Sequence, residues 1–265
     1  MAYIACPKCG HQPLLANQSF PAACPGCGII FAKLGERAER APAKPVTVLQ
    51  ADAPAEEAPA REGILAMLFY VPEAVDKMNW GGRIAALVVF LIWTFFIWRD
   101  IDIPAGESGS SFLHSILIPF HEAGHYAIFR WFGEFIIILG GTLGQHLLPI
   151  VLGGALLWKR RDPFGAAIFF WLLGYSVVDM GVYMYDAFDP KLALIGGGTG
   201  ADSDGHDWQN IFGDLGLLKR ARGIGIFFGW FGKALMLLGL VWAAWMIWLQ
   251  RARLSDSPFA ETDLE

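Results

Sequence analysis

Residues 85–98 read Ala85-Ala-Leu-Val-Val-Phe-Leu-Ile-Trp-Thr-Phe-Phe-Ile-Trp98 and contain no charged side chain. Arg83 precedes this stretch by two positions, and Arg99-Asp100 follows it directly. A helix of about 20 mostly apolar residues is long enough to cross the hydrocarbon core of a bilayer. Tryptophan at the end of such a stretch is typical of the membrane interface. The stretch therefore predicts a membrane-spanning helix.

The composition of the whole chain agrees with this prediction. Of its 265 residues, 55% are hydrophobic and only 17% are charged, whereas soluble domains carry about 25% charged residues. The net charge of −5 provides no basic surplus for binding a nucleic-acid backbone. We predict a mainly α-helical, polytopic membrane protein whose partners are the lipid bilayer and a membrane protein. Its candidate spans are about 83–99, 111–131, 134–158, 165–187 and 224–250.

The basic residues between the spans bear on topology. Five full spans with a cytoplasmic N-terminus would place Lys159-Arg160-Arg161 and Arg251/Arg253 outside, against the positive-inside rule. If segment 134–158 dips into the membrane and returns, both clusters become cytoplasmic. The centre of this segment, residues 140–144, is rich in glycine, as a re-entrant segment would be. We favour the re-entrant arrangement.

All four cysteines lie near the N-terminus, in the knuckles Cys6-Pro-Lys-Cys9-Gly and Cys24-Pro-Gly-Cys27-Gly. Paired Cys-x-x-Cys knuckles are typical of a four-thiolate structural zinc site. The alternatives are two local disulfides or a redox dithiol, but neither a large loop to close nor a βαβ context is present. We predict a zinc ribbon at 1–34 with one structural Zn²⁺. Thiolate ligands imply a reducing compartment, which is the cytoplasm.

The remaining sequence divides by composition. Residues 35–62 are rich in Ala, Pro and Glu and predict a disordered linker. Residues 63–250 form the membrane domain, and 251–265 a polar tail. Only Lys8 and Lys33 are basic in the ribbon, so we expect it to bind a protein substrate or partner rather than nucleic acid.

A metal-binding pattern occurs in the second candidate span, His121-Glu122-Ala-Gly-His125. Two histidines one helical turn apart can hold one metal ion, and the adjacent glutamate can act as general base. Ionisable side chains inside a span are costly and are functional candidates by default. The pattern predicts a catalytic zinc site with Glu122 as the catalytic residue and His121 and His125 as ligands.

With this motif the sequence resembles the intramembrane zinc metallopeptidases of the site-2 protease type, in a divergent bacterial branch. The resemblance covers about residues 110–225 and includes Gly133-Glu-Phe135, Gly140–Gln145, Tyr183-Met-Tyr-Asp186-Ala187 and His206-Asp207-Trp208. It implies a hydrolase of a bacterial inner membrane that cleaves membrane or membrane-proximal proteins. It also implies a third zinc ligand from a later span, at the position of Asp186.

The sequence departs from the family pattern in one respect. The family's pattern of Asn-x-x-Pro followed by an Asp-Gly pair does not occur, because no Asn-x-x-Pro is present; substrate positioning is where this departure matters most. Asp179, two helical turns before Asp186, and His146 remain alternative third ligands. The same departure keeps a second function open, a non-catalytic membrane zinc protein that acts as a regulatory or assembly factor.

Further roles were assigned by analogy or by position. Gln145 or His206 could stabilise the oxyanion, and residues 140–144 could present a strand edge to an unwound substrate. Asp207 is predicted to cap the helix that follows it. His114, two turns before His121, is predicted to be a packing residue.

Overall fold

A computed structural model describes residues 5–6, 8–12, 23–30, 63–195, 197–203 and 205–255. The chain forms two compact units, Met1–Ala58 and Pro59–Glu265. The predicted linker at 35–62 and residues 256–265 of the predicted tail lie outside the described residues.

In the first unit the two cysteine knuckles have the same backbone structure. The amide of Gly10 donates to the carbonyl of Cys6 (2.8 Å), and the amide of Gly28 donates to that of Cys24 (2.8 Å). Both glycines adopt left-handed backbone angles, with φ of 73° and 68°, which glycine adopts without steric cost. An antiparallel bridge joins Ala23 to Ile30. The glycine after each Cys-x-x-Cys is therefore what turns the chain.

The described part of the second unit is built almost entirely of helices. Its α-helices are α1 (Ile64–Leu68), α2 (Lys77–Asp100), α3 (Ser111–Ala123), α4 (Glu134–Ala155), α5 (Pro163–Asp186), α6 (Asp207–Asp214) and α7 (Ala221–Gln250). Gly124–Ile128 and Leu156–Arg160 continue α3 and α4 as π-helical turns. Four two-residue strands complete it: β1 (Val75–Asp76), β2 (Ile101–Asp102), β3 (Glu107–Ser108) and β4 (Leu254–Ser255).

Four of these helices are long and apolar enough to cross a membrane. They are Lys77–Asp100, Glu134–Arg160, Pro163–Asp186 and Leu218–Arg253, with mean hydropathy between 1.6 and 1.9. This confirms the prediction of a mainly α-helical fold with several helices of spanning length. The predicted span at 111–131 is not among them. Helix α3 ends at Ala123 and continues as the π-helical turn to Ile128, and this stretch carries His114, His121, Glu122 and His125.

The glycine-rich segment of α4 does not break the helix. Residues 140–144 lie in the middle of an uninterrupted helix of 22 residues, so the predictions of a re-entrant break and of a strand edge are wrong. A β-carbon on Gly144 would collide with the carbonyl oxygen of Phe120, and one on Gly124 with that of Gly140. These glycines allow the backbones of α3 and α4 to pack in direct contact.

Helix α5 lies at the centre of the unit. Of its most apolar window, 61% is buried, compared with 11% for α2. It runs antiparallel to α7, as the order of close contacts shows. Gly174 of α5 faces Met236 and Gly232 of α7, and Gly181 faces Gly225 and Gly229. Small residues at these crossings let the two backbones approach closely.

The basic clusters considered for topology gather at one end of the bundle. Strand β1 pairs with β4, which joins the start of α2 to the end of α7. Arg83 pairs with Asp162 (3.2 Å), which brings the α4–α5 junction and its Lys159-Arg160-Arg161 cluster to the same end. Both clusters therefore lie on the side where α2 begins, although α4 is a full-length helix.

The α5–α7 crossing predicts a sharp contrast between two glycines of α7. A methyl group at Gly232 would come within 2.6 Å of the Gly174 carbonyl oxygen and the Val178 amide nitrogen, whereas nothing lies within 4 Å at Gly223. We expect Gly232→Ala to destabilise the purified protein by about 1–3 kcal/mol through overpacking. Gly223→Ala, the control, should be neutral or slightly stabilising. Thermal unfolding in detergent measures both; equal effects would contradict the close crossing.

Candidate metal centres

The four thiols of the first unit converge on one point. Cys6 Sγ lies 3.7 Å from Cys27 Sγ, and Cys9 Sγ lies 3.7 Å from Cys24 Sγ. All four sulfurs lie within 4.8 Å of one another. A disulfide needs about 2.05 Å, whereas sulfurs at 2.3 Å from a tetrahedral zinc lie about 3.8 Å apart. The cysteines are free, and their spacing fits a zinc ion, so this group can bind metal.

The first knuckle also favours the thiolate form that a metal needs. Burial acts to raise the pKa of the Cys6 thiol, but the backbone N–H groups of Cys9 and Lys8 point at the sulfur and lower its pKa to about 6. The backbone therefore favours the thiolate form of Cys6. In the same knuckle the backbone N–H of His11 acts to lower the pKa of Cys9, but hydrogen bonds with the neighbouring thiols and burial raise it above its ordinary value.

In the second unit, two histidines and one aspartate bring three ligand atoms together. His121 Nε2 lies 3.1 Å from His125 Nε2 and 2.9 Å from Asp207 Oδ2. His125 Nε2 lies 3.2 Å from the same carboxylate oxygen. Nitrogen and oxygen ligands around a tetrahedral zinc lie about 3.3 Å apart. The three atoms therefore fit one face of such a site and leave the fourth position for another ligand. We call these residues the histidine–aspartate group.

Hydrogen bonding fixes which nitrogen of His125 is available to a metal. Its Nδ1 donates to the carbonyl oxygen of Ile137 in α4 (2.8 Å), so the lone pair of the neutral imidazole lies on Nε2. A donor bond of this kind from the second ring nitrogen is usual for histidines that bind metal. Helix α4 thus orients a ligand carried by the π-helical turn after α3.

Helix α6 supplies the third member of the group. Asp207 is the first residue of α6, and its backbone amide donates to the hydroxyl of Tyr183 (3.2 Å). Burial acts to raise the pKa of the Asp207 carboxyl, but its contacts with His121 and His125 outweigh burial and hold the pKa below its ordinary value. The carboxylate is therefore ionised at neutral pH, as a metal ligand must be.

The predicted third ligand, Asp186, lies elsewhere. Its carboxylate accepts from the amides of Lys191 (2.9 Å) and Leu192 (3.1 Å) and pairs with Nε2 of His206 (3.3 Å). These contacts fix the loop between α5 and α6. Asp186 therefore positions the segment that delivers Asp207, and Asp207 takes the place expected for Asp186.

The helix-capping role predicted for Asp207 is filled by its neighbour His206. The buried His206 is the N-cap of α6, where its Nδ1 accepts from the amide of Gln209 (3.1 Å). Its ring packs on Tyr183, with the ring centroids 4.1 Å apart. Its Nδ1 is engaged with Gln209, and its Nε2 faces Asp186 at 3.3 Å without a hydrogen bond, so His206 does not present a donor to the histidine–aspartate group as predicted.

The other predicted site residues also lie apart from this group. Gln145 donates to Asp179 Oδ2 (3.1 Å), and Asp179 also contacts His114 Nδ1 (2.8 Å). His146 donates from Nδ1 to the carbonyl of Thr142 in its own helix (2.7 Å). The structure thus brings neither of the alternative third ligands, Asp179 and His146, to His121 and His125. Gln145 supports Asp179 instead of facing the group.

One cavity of about 1270 Å³ lies beside the histidine–aspartate group. Its lining includes the histidine–aspartate group, Glu122 and Tyr183. Glu122 lies close enough to His125 and Tyr183 to interact with both electrostatically. The sequence alone does not assign a role to Tyr183, which occurs there only as part of the segment Tyr183-Met-Tyr-Asp186-Ala187.

Comparison with protein-family models, with curated proteins and with solved structures found no match for this chain. The features of this chain that bear on function are therefore the geometry of the two metal-binding groups and the cavity.

Close packing at Gly141 yields a test of the histidine–aspartate group. A β-carbon at Gly141 would collide with the Nε2 atoms of both His121 and His125, whereas Gly154 of the same helix has open space around it. We expect Gly141→Ala to lower the metal content of the membrane unit at least tenfold, and Gly154→Ala to leave it unchanged. Elemental analysis of the purified variants measures this. Full metal content in Gly141→Ala would contradict the convergence of the two histidines.

The ribbon provides an independent test of metal stoichiometry. Replacing Cys6 and Cys9 by Ser removes two of four ligands and should unfold the ribbon, because small metal-bound units fold only with their metal. We expect the double variant to lose one of two zinc ions and to keep the other. Loss of both ions would show that the two sites depend on each other.

Proposed function

We propose that this chain is a membrane-embedded zinc metallopeptidase-like protein that hydrolyses peptide bonds of membrane or membrane-proximal proteins. One observation carries the proposal: the three ligand atoms of the histidine–aspartate group converge in the cavity that Glu122 also lines. A His₂-carboxylate set with one open position is typical of catalytic zinc sites. In such sites a glutamate next to the first histidine acts as general base.

The histidine–aspartate group and Glu122 have different roles in the proposed reaction. His121, His125 and Asp207 would hold the ion, which when bound would lower the pKa of a water molecule and polarise the substrate carbonyl. Glu122 accepts the proton of the attacking water and returns it to the leaving amine. Both steps need a carboxylate beside the metal-bound water, and Glu122 lines the cavity next to the two histidines.

Tyr183 is the best-placed group to stabilise negative charge on the carbonyl oxygen. Its hydroxyl oxygen accepts from the Asp207 amide (3.2 Å), which leaves the hydroxyl proton free to donate into the cavity. Its ring also contacts His121, with the ring centroids 6.2 Å apart. Tyr183 therefore replaces Gln145 and His206 as the proposed oxyanion donor. A preorganised donor of this kind contributes about 10²–10³ in rate.

The lining of the cavity fits a peptide substrate. Apolar side chains from α3, α4, α5 and the loop before α6 share the lining with the polar groups, among them Ile118, Ile137, Ile138, Met180, Val182 and Leu192. An apolar wall with a few convergent polar groups is typical of a substrate-binding cavity. We infer that an unwound segment of a membrane protein enters here.

The second candidate function, a non-catalytic regulatory or assembly factor that binds zinc, is favoured by one observation. The sequence lacks the Asn-x-x-Pro motif of the site-2 protease type, which it otherwise resembles. In either function we propose that the ribbon recruits a protein partner without binding nucleic acid. We also propose that it lies on the cytoplasmic side of a bacterial inner membrane.

Glu122 separates the two functions. Glu122→Gln removes the general base and no metal ligand, so we expect unchanged zinc content and a loss of turnover of about 10²–10⁴. Glu134→Gln is the matched control, because Glu134 lines the same cavity from the exposed start of α4. Zinc is measured by elemental analysis, and turnover by a fluorescence-quenched peptide library. If the zinc-loaded wild-type protein cleaves no peptide, or cleaves only peptides that the Glu122→Gln variant also cleaves, the regulatory function stands.

A further inference from the structure

A second polar cluster lies in the wall of the same cavity. His114 Nδ1 contacts both carboxylate oxygens of Asp179, at 2.8 and 3.1 Å. Gln145 donates to Asp179 Oδ2 at 3.1 Å. All three residues line the cavity. We call His114 and Asp179 the histidine dyad. The metal site does not use it.

The dyad has a buried side and an accessible side. The Asp179 side chain is 10% exposed, whereas that of His114 is 47% exposed. A buried carboxylate needs hydrogen bonds and a compensating charge. The hydrogen bond with Asp179 raises the pKa of His114 above its ordinary value, which favours the imidazolium form with an N–H on each ring nitrogen. With Nδ1 held by Asp179, no residue that the structure describes accepts a hydrogen bond from Nε2. The second N–H of the ring is therefore available to a molecule in the cavity.

The charges around the cavity make this donor distinctive. The described lining residues include Glu107, Glu122, Glu134 and Asp214 but no lysine or arginine. Away from the histidine–aspartate group, His114 is thus the cationic side chain that the described lining offers to an oxygen atom. An oxygen of a bound peptide would find its charge-assisted partner there.

The separation of the two sites fits the repeat of an extended peptide. His114 precedes His121 by seven residues within α3, which corresponds to about 10.5 Å along the helix axis. An extended peptide advances about 3.3 Å per residue. A substrate whose scissile carbonyl lies at the histidine–aspartate group would therefore reach His114 about three residues further along.

We propose that His114 is a substrate-binding residue whose Nε2–H donates to a main-chain oxygen of the peptide, about three residues from the scissile bond. Asp179 and Gln145 act as positioning residues that hold the ring. The proposal rests on the proposed peptidase function and adds a subsite to it. The oxygen belongs either to an internal carbonyl or to a C-terminal carboxylate, and these two sources correspond to endopeptidase and carboxypeptidase action.

Peptide hydroxamates test the subsite without requiring turnover. The probes carry one or three residues beyond the zinc-binding hydroxamate and end in either a carboxamide or a free carboxylate. Their affinities for the zinc-loaded full chain in detergent are measured by titration calorimetry. We expect three-residue probes to bind wild type at least about tenfold more tightly than one-residue probes, as one charge-assisted hydrogen bond allows. Equal gains for both termini identify an internal carbonyl, and a gain for the carboxylate alone identifies a C-terminus.

The variants separate binding from structure. His114→Phe should abolish the advantage of the longer probes while zinc content and thermal stability are measured in parallel. His114→Gln keeps a donor for Asp179 and serves if the phenylalanine variant does not fold. Asp214→Asn is the control for a change of cavity charge and should keep the advantage.

The outcomes distinguish the two proposals. If hydroxamates bind but the length advantage is equal in wild type and in the folded His114 variants, the subsite is overturned and the peptidase function stands. If no hydroxamate binds the zinc-loaded protein, the proposed function fails and the subsite fails with it.

Discussion

The backbone contact between α3 and α4 is the constraint on which the rest of the site depends. Gly124 and Gly140 meet without side chains between them, and Gly141 lies against the imidazole rings of His121 and His125. The same approach lets Ile137 accept from His125 (2.8 Å). A side chain at any of these glycines would push α3 outward, and the ligand atoms would separate. Close packing at glycine therefore takes precedence here over helix propensity, which disfavours glycine by about 1 kcal/mol.

Three largely buried aspartates of the bundle each have polar partners. Asp179 has His114 and Gln145, Asp186 has His206 and two backbone amides, and Asp207 has the two histidines. Each set offsets the cost of burying a carboxylate among apolar helices. The sets also differ in role. The set around Asp186 fixes the loop before α6, and the set around Asp207 presents atoms that a metal can bind.

The sequence was sufficient for features encoded within a few residues. The apolar runs predicted helices of spanning length, and the short motifs around Cys6 and His121 predicted two groups of ligands that converge in the structure. The third ligand could not be read in this way, because Asp207 is distant in sequence and meets His121 only through the fold of the α5–α6 loop. The family resemblance favoured Asp186, which lies at the end of α5. Glycines at 140–144 suggested a broken helix, since a sequence does not show whether glycine permits a turn or a close helix contact.

Joining His121 to Asp207 bridges 86 positions of the chain. A metal ion held between them would act as a cross-link, and closing so long a loop would remove unfolded-chain entropy worth about 4.6 kcal/mol by analogy with a disulfide. Helix α6 and the loop before it would then be ordered in proportion to zinc supply. In a cell short of zinc, this protein would expose that loop to degradation first. Its abundance would therefore follow zinc availability without any dedicated sensor.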